Sequence, residues 1–469
     1  MESIKPQNIN YKKVEQVSGK YRYLRLALNN ITGNSVTLSA TASQLLEWKL
    51  PAGVYNLARS FVSYTDVLKI QAGGAVYAFD NTLPIAQSIQ FGTSGGLNLC
   101  DVNYANNYIN VARPIDTPLE IFLSNDLSTG LSPYSGSGTI NNVFPPGFTP
   151  TLNNIYSLLN AATVINPIPN AMIDVRQSYS AILGIANATN FPLAGVTNTI
   201  LAMDKDQYFN DNMYLRINTA PSGKIAYAAA AINAPTGTPA SLAVQPILNN
   251  VYLYVAMEKD QQIIDSLMAK YQSGQLKYQI PFTSAFRNVV GTGSSTIQIQ
   301  LNNQYGKKLK RVLTTFFNTN ETTGGASSNL AYDHHNYDGA KVTSFQTYLD
   351  SMPLQDSIMS CLQPDTATAS IAAGTGLINM DDWKENKATC RNTAIKNALD
   401  YSLHWFHADK FYERNESTDV PEDNIDQGLS LAVPRSWSIQ STNAVASINY
   451  TFCHFIRDVL ISPSGPMWV

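Results

Sequence analysis

The chain has 469 residues, with 31 Lys and Arg against 34 Asp and Glu and a net charge of −3. That length allows two or three domains with ample core. The 44% hydrophobic content excludes a disordered chain, and the near-neutral charge argues against a dedicated nucleic-acid binder. The unusual value is the charged fraction, 14%, against about 25% in an average soluble domain. The polar surface comes instead from neutral side chains, with 44 Asn and 25 Tyr prominent among them. Charge keeps chains apart in solution, so a chain this poor in charge is either extracellular or built to pack against copies of itself.

In chain order, the first feature is basic. Lys5, Lys12, Lys13, Lys20, Arg22 and Arg25 face only Glu2 and Glu15. This reads as a basic N-terminal arm over residues 1–20, ahead of the first packed strand, or as a solvated terminus with no partner. No apolar leader core follows Met1, and no run reaches the ~18 apolar residues of a membrane span. The expectation is a chain made and assembled inside a cell.

From Tyr21 the pattern has a period of two. Val36, Leu38 and Ala40 alternate with Ser35, Thr37 and Ser39, and Ile297, Ile299 and Leu301 alternate with Gln298 and Gln300. Ala446, Ile448, Tyr450, Phe452 and Ile456 alternate with Ser447, Asn449, Thr451 and Arg457. Such runs mark strands with one buried face. Turn clusters at Asn29-Asn30, Pro51-Ala52-Gly53, Gly291–Ser295 and Gly324–Ser328 separate them. Two charge-free stretches, Leu127–Ile173 and Ile225–Met257, read as neutral loops or extended segments. Helical spacing occurs at Met257–Gln275, through Ile263, Ile264, Leu267, Met268 and Tyr271, with Gly274 as a stop. Weaker signals lie at Leu152–Ala161 and Thr393–His404.

The fold class is therefore mainly β, with two consecutive eight-stranded sandwiches and a few short helices. The expected organisation is an arm at 1–20, a first sandwich at 21–257, a linking helix at 258–279 and a second sandwich at 280–469. The halves share a pattern but no identity repeat.

Chemical motifs are few. Gly92-Thr93-Ser94-Gly95-Gly96 has nucleophile-elbow spacing, but no helical face follows it, so it reads as a turn. Cys100, Cys361, Cys390 and Cys453 fit neither a zinc ribbon nor a redox pair and read as buried thiols. His404 and His407, with Cys390 and Cys453-His454 elsewhere, read as structural histidines rather than metal ligands. Asp333–Gly339 reads as an exposed polar loop. Lys307, Lys308, Lys310 and Arg311 form a candidate basic patch, or else an edge strand blunted by Lys. No catalytic residue, cofactor or metal is assigned, and the chain is not read as an enzyme.

Leu248–Gln279, LNNVYLYVAMEKDQQIIDSLMAKYQSGQLKYQ, is a Tyr- and Val-rich strand running into an acidic turn and a short helix. It resembles the link between the two halves of the double jelly-roll major capsid proteins of icosahedral viruses. Leu45–Ser63, LLEWKLPAGVYNLARSFVS, resembles an early strand pair of the same family. The Arg-rich turn of its large eukaryotic members is missing. The resemblance implies two jelly rolls per chain and pseudo-hexameric homotrimers that tile an icosahedral shell in the virion. It also implies neighbouring trimers and penton or minor capsid proteins as partners, with the basic arm facing inward toward genome or an internal membrane. Two other readings remain: a carbohydrate- or receptor-binding spike or fibre protein, and an amidase on paired jelly rolls, which needs paired carboxylates in a cleft; the adjacent Asp381 and Asp382 would face opposite ways on a strand.

Overall fold

Side chains on an extended backbone point to alternate faces, so each period-two run can bury one face and solvate the other. The structure is a computed structural model that describes residues 20–39, 42–70, 76–79, 86–116, 172–173, 189–210, 212–220, 226–229, 244–318, 342–360, 406–411, 428–443 and 446–469. In the first half the principal strands are β1 (Tyr21–Ala27), β2 (Leu45–Leu50), β3 (Gly53–Ile70) and β4 (Ala86–Thr93). They continue as β5 (Asn98–Asn103), β6 (Gln207–Phe209), β7 (Met213–Thr219) and β8 (Val244–Glu258). Helix α1 (Ala105–Asp116) lies between β5 and β6, and helix α2 (Gln261–Gln272) follows β8. These strands form two antiparallel sheets, ordered β1-β8-β3-β6 and β2-β7-β4-β5.

In the second half the principal strands are β9 (Leu276–Val290), β10 (Gly293–Leu301), β11 (Lys308–Asn318) and β12 (Val342–Leu349). They continue as the short β13 (Met352–Pro353), β14 (Phe406–Lys410), β15 (Arg435–Asn443) and β16 (Ser447–Ser462). Their sheets are ordered β9-β16-β11-β14 and β10-β15-β12-β13. Each of these eight strands thus has a counterpart eight places earlier, in the same position of the corresponding sheet, with further short strands paired outside this order. In each half the eighth strand inserts between the first and third, and the seventh between the second and fourth. That is the jelly-roll topology, and the chain is a double jelly roll: the strand pattern led us to expect sandwiches, and the resemblance carried by Leu248–Gln279 and Leu45–Ser63 implied the jelly rolls. A closing strand, β17 (Gly465–Trp468), pairs with β16.

The cores follow from the alternation. Trp48 on β2 stands opposite Leu215 on β7, which stands opposite Phe91 on β4. All three are buried, at roughly 1.5–3 kcal/mol for each large apolar side chain. In the second half Ile297, Ile299 and Leu301 meet Trp437 and Ile439 across β10 and β15, while Gln298 and Gln300 face solvent.

The expected helix at 257–275 is observed as α2, shorter at both ends. Asp260 caps it, its Oδ1 accepting from the Gln262 backbone N–H at 2.9 Å. Gly274, at φ +68°, ends it. β9 begins at Leu276, so the expected boundary at 279/280 falls inside a strand. Helix α1 was not expected from the sequence. The expected helices at 152–161 and 393–404, the loop at 333–339, Cys361, Cys390, His404, Asp381 and Asp382 lie outside the described residues. No helix among the described residues is long and apolar enough to cross a membrane.

Candidate functional site: the seam between the jelly rolls

Strand β16 alternates as the sequence indicates, but its faces are exchanged. Ordinary amphipathic logic points its apolar face into its own sandwich. Instead, the row containing Asn449, Thr451 and Cys453 faces that interior. Cys453 stands opposite Val312 on β11, and Val312 stands opposite Asp409 on β14. Asp409 reaches the facing sheet, accepting from Trp437 Nε1 at 2.8 Å and Thr347 Oγ1 at 3.1 Å. The buried polar row is satisfied within itself: Thr314 and Thr451 hydroxyls are 3.0 Å apart, and Asn449 Nδ2 donates to Thr314 Oγ1 at 2.8 Å. The apolar row faces the first jelly roll. Tyr450 packs on Tyr104 and Phe452 on Tyr108, with ring centroids 5.0 and 4.9 Å apart. A strand covered on both sides has no solvent face, so either row can be apolar.

A buried polar cluster sits in this seam. The first jelly roll contributes Tyr108 and Asp116 from α1, and Thr197 and Asn198 from the turn before β6. The second contributes Thr283 from β9, Arg311 from β11 and His454 from β16. Arg311 donates to Asp116 as a two-pronged pair, Nη1 to Oδ1 at 2.7 Å and Nη2 to Oδ2 at 2.8 Å. The two residues are 195 positions apart in sequence and respectively 1% and 4% exposed. Asp116 Oδ2 also accepts from Thr197 Oγ1 at 2.8 Å and Asn198 Nδ2 at 2.7 Å. Thr283 Oγ1 donates to the Asn198 carbonyl at 2.8 Å.

Arg311 also fixes the state of His454. Its Nε lies 2.9 Å from His454 Nδ1. A guanidinium only donates, so Nδ1 accepts and the imidazole is neutral, with its proton on Nε2. That proton points at the Tyr108 hydroxyl, 3.3 Å away. Tyr108 in turn donates to the Thr197 carbonyl at 2.6 Å. Burial, reinforced by the Arg311 charge, holds the His454 imidazole well below its ordinary value of 6.5, with Asp116 opposing in part. Burial also opposes ionisation of Asp116, but the charge and hydrogen bonds of Arg311 outweigh it and keep the carboxyl below its usual range. The cluster is a non-covalent cross-link with a fixed geometry, joining the two halves far from solvent.

A second buried cluster lies inside the second sandwich, where His407 Nε2 sits 2.9 Å from Asp409 Oδ1. Among the described residues, no group of three or more His, Cys, Asp or Glu side chains could hold a metal ion. The Gly92–Gly96 motif is the turn between β4 and β5, with Ser94 Oγ donating to Asn212 Oδ1 at 2.6 Å.

The described candidate basic residues are not gathered into one site. Lys5, Lys12 and Lys13 lie outside the described residues. Lys20 pairs with Asp206 at 3.2 Å and Glu258 at 3.7 Å. Arg22 and Arg25 are exposed on β1, and the Arg25 guanidinium lies over the Tyr252 ring at 4.8 Å. Of the run at 307–311, Lys307 pairs with Asp458 at 2.7 Å, Lys308 is half-buried, and Lys310 and Arg311 are buried. The run is therefore neither an exposed patch nor an edge: β11 lies inside its sheet, between β16 and β14. A register shift between Leu309 and Arg311 displaces the regular alternation.

Asp116 is not singled out from the sequence, and Arg311 is placed there in a basic patch or edge strand, while His454, read as a structural histidine, is a buried one. Two signals were available. Ala105, Tyr108, Ile109 and Ala112 have helical spacing, and all four are buried. Arg311 is also a charge within a strand whose neighbours Leu309, Val312 and Leu313 are apolar.

Comparison with protein-family models returns no match, and neither does comparison with curated proteins. Solved structures similar to the chain include a Sputnik virophage structure (10% identity, TM-score 0.49, covering 96% of this chain and 88% of that one). The Faustovirus major capsid protein is similar at 10% identity and TM-score 0.48, covering 94% and 90%. The mavirus major capsid protein is similar at 12% identity and TM-score 0.46, covering 96% and 90%.

Proposed function

We propose that this chain is a major capsid protein whose homotrimers tile an icosahedral shell in the virion. The observation that carries the reading is the strand-for-strand repetition of one jelly roll within a single chain, joined by a buried seam. Three such chains around an axis place six similar sandwiches in a ring, an outline that can tile a surface by repeating a few contacts. The low charge suits such contacts, because charges buried at an interface must first be stripped of water. The exposed apolar side chains Met352, Ile358 and Val433, at 71%, 66% and 63%, are surfaces that neighbouring copies would cover.

In this reading the partners are other copies of the chain, penton or minor capsid proteins, and, through residues 1–20, genome or an internal membrane. Size-exclusion chromatography with light scattering tests the core claim. The expected species is three times 51.3 kDa, about 154 kDa, with a hexagonal outline in negative stain. A monomer at every concentration sinks the proposal. Deleting residues 2–20 is expected to leave the trimer intact and to reduce particle yield; unchanged yield and particle stability would remove the arm's role.

A further inference from the structure

We propose that the seam cluster is an acid-sensitive joint: neutral His454 holds the two jelly rolls together, and its protonation releases them. The argument rests on where the ring nitrogens point. Nδ1 accepts from Arg311 Nε at 2.9 Å. A proton placed there sets two N–H groups against each other, abolishes that hydrogen bond and puts two cations in contact, away from water.

Among the described residues, the polar groups facing the ring come from three elements. From α1, Tyr108 meets Nε2 at 3.3 Å, and Asp116 supplies the nearby negative charge. That charge is already committed, because both its oxygens are held by Arg311, Thr197 and Asn198. From β11 comes Arg311, and from β9 Thr283, which is bonded to the Asn198 carbonyl. Next along β16, Cys453 is turned to the opposite face. Among the described residues, Asp116 is the carboxylate acting on the ring, and the Asn198 Oδ1 left without a hydrogen-bond partner is a neutral oxygen that brings no charge to balance a second cation.

The sign follows from linkage. An imidazole depressed in the closed form binds its proton more readily once the seam opens. The seam's contribution to stability is therefore fully present above the ordinary value of 6.5 and is lost as the pH falls below it. With one proton taken up per opening, the open population rises about tenfold per pH unit. Asp116 adds loss of the same sign only in stronger acid, below its ordinary 3.8. This joint lies within one chain, so the inference stands or falls independently of any assembly.

The test is amide hydrogen exchange on the full chain between about pH 7.5 and pH 5, corrected for intrinsic exchange rates. Amides of α1 and β11 are expected to lose protection about tenfold per unit below the ordinary imidazole value, while those of β10 and β15 hold. In His454→Gln an amide oxygen can accept from Arg311 but cannot become charged, so its seam is expected to show no such loss. A pH-independent seam in the natural chain, an undiminished loss in His454→Gln, or equal loss of protection throughout both halves overturns the proposal. Should His454→Gln fail to fold, exchange of the imidazole C2 hydrogen in the natural chain decides the matter. His454 is expected to titrate well below an exposed histidine and together with seam opening. Titration at the ordinary value with the seam still closed overturns it.

Discussion

Arg311 and Asp116 make sense only as a pair. Either charge alone in the seam would be stripped of water without compensation. Arg311→Met is therefore expected to cost about 3–5 kcal/mol, the range for breaking a buried pair from one side, read by urea denaturation at neutral pH. Combining it with Asp116→Asn is expected to cost clearly less than the sum of the two single changes. Additive losses would mean that the two side chains stabilise the fold separately. Trp437→Phe leaves Asp409 one donor short and is expected to cost about 1–3 kcal/mol. The thiols of Cys100 and Cys453, both buried with their ionisation pushed up by burial, are expected to react with an alkylating reagent only after unfolding, as peptide mass spectrometry would show. At this scale the sequence was legible where burial follows from hydrophobicity, as at Cys453. It was opaque where burial follows from pairing. Arg311 sits in a run of basic residues and reads as solvent-directed until its carboxylate, far away in the chain, is brought to it.

Strands and helices were legible to different depths for physical reasons. Alternation located β10 and β16, because side-chain period is a local property of extended backbone. It could not tell which face of β16 turns toward which body, since both faces are buried. Helix α2 was readable from its apolar spacing, acidic cap and glycine stop. Helix α1 lacks those ends: Tyr104, at φ +56°, precedes it, and its one carboxylate, Asp116, is spent on Arg311. The turn between β4 and β5 offers a clean test of backbone approach. A Cβ at Gly92 would lie 2.3 Å from the Leu97 carbonyl oxygen, inside any real contact distance. Gly92→Ala is expected to destabilise the first jelly roll by about 1–3 kcal/mol, in the overpacking range, with a shift of the thermal midpoint as the readout. No measurable shift would mean that the hairpin can open at no cost.

For the whole molecule, what repeats is topology rather than residues. The eight-strand order recurs although the halves share no identity repeat, because the order depends on which faces are buried and which turns are short, and many sequences meet those terms. The inserted eighth strand has a consequence for synthesis. β8 is made last in its half, yet it lies between β1 and β3, and β16 likewise lies between β9 and β11. Neither sheet can close while its final strand is still in the ribosome. The first half can finish its sheet once residue 258 has emerged. The second must keep β9 and β11 apart until residue 462 has been made. By then the first half has all of its strands, the surface that Tyr450, Phe452 and His454 of β16 meet in the finished fold. Translation from one end to the other thus supplies the template before the strand that needs it.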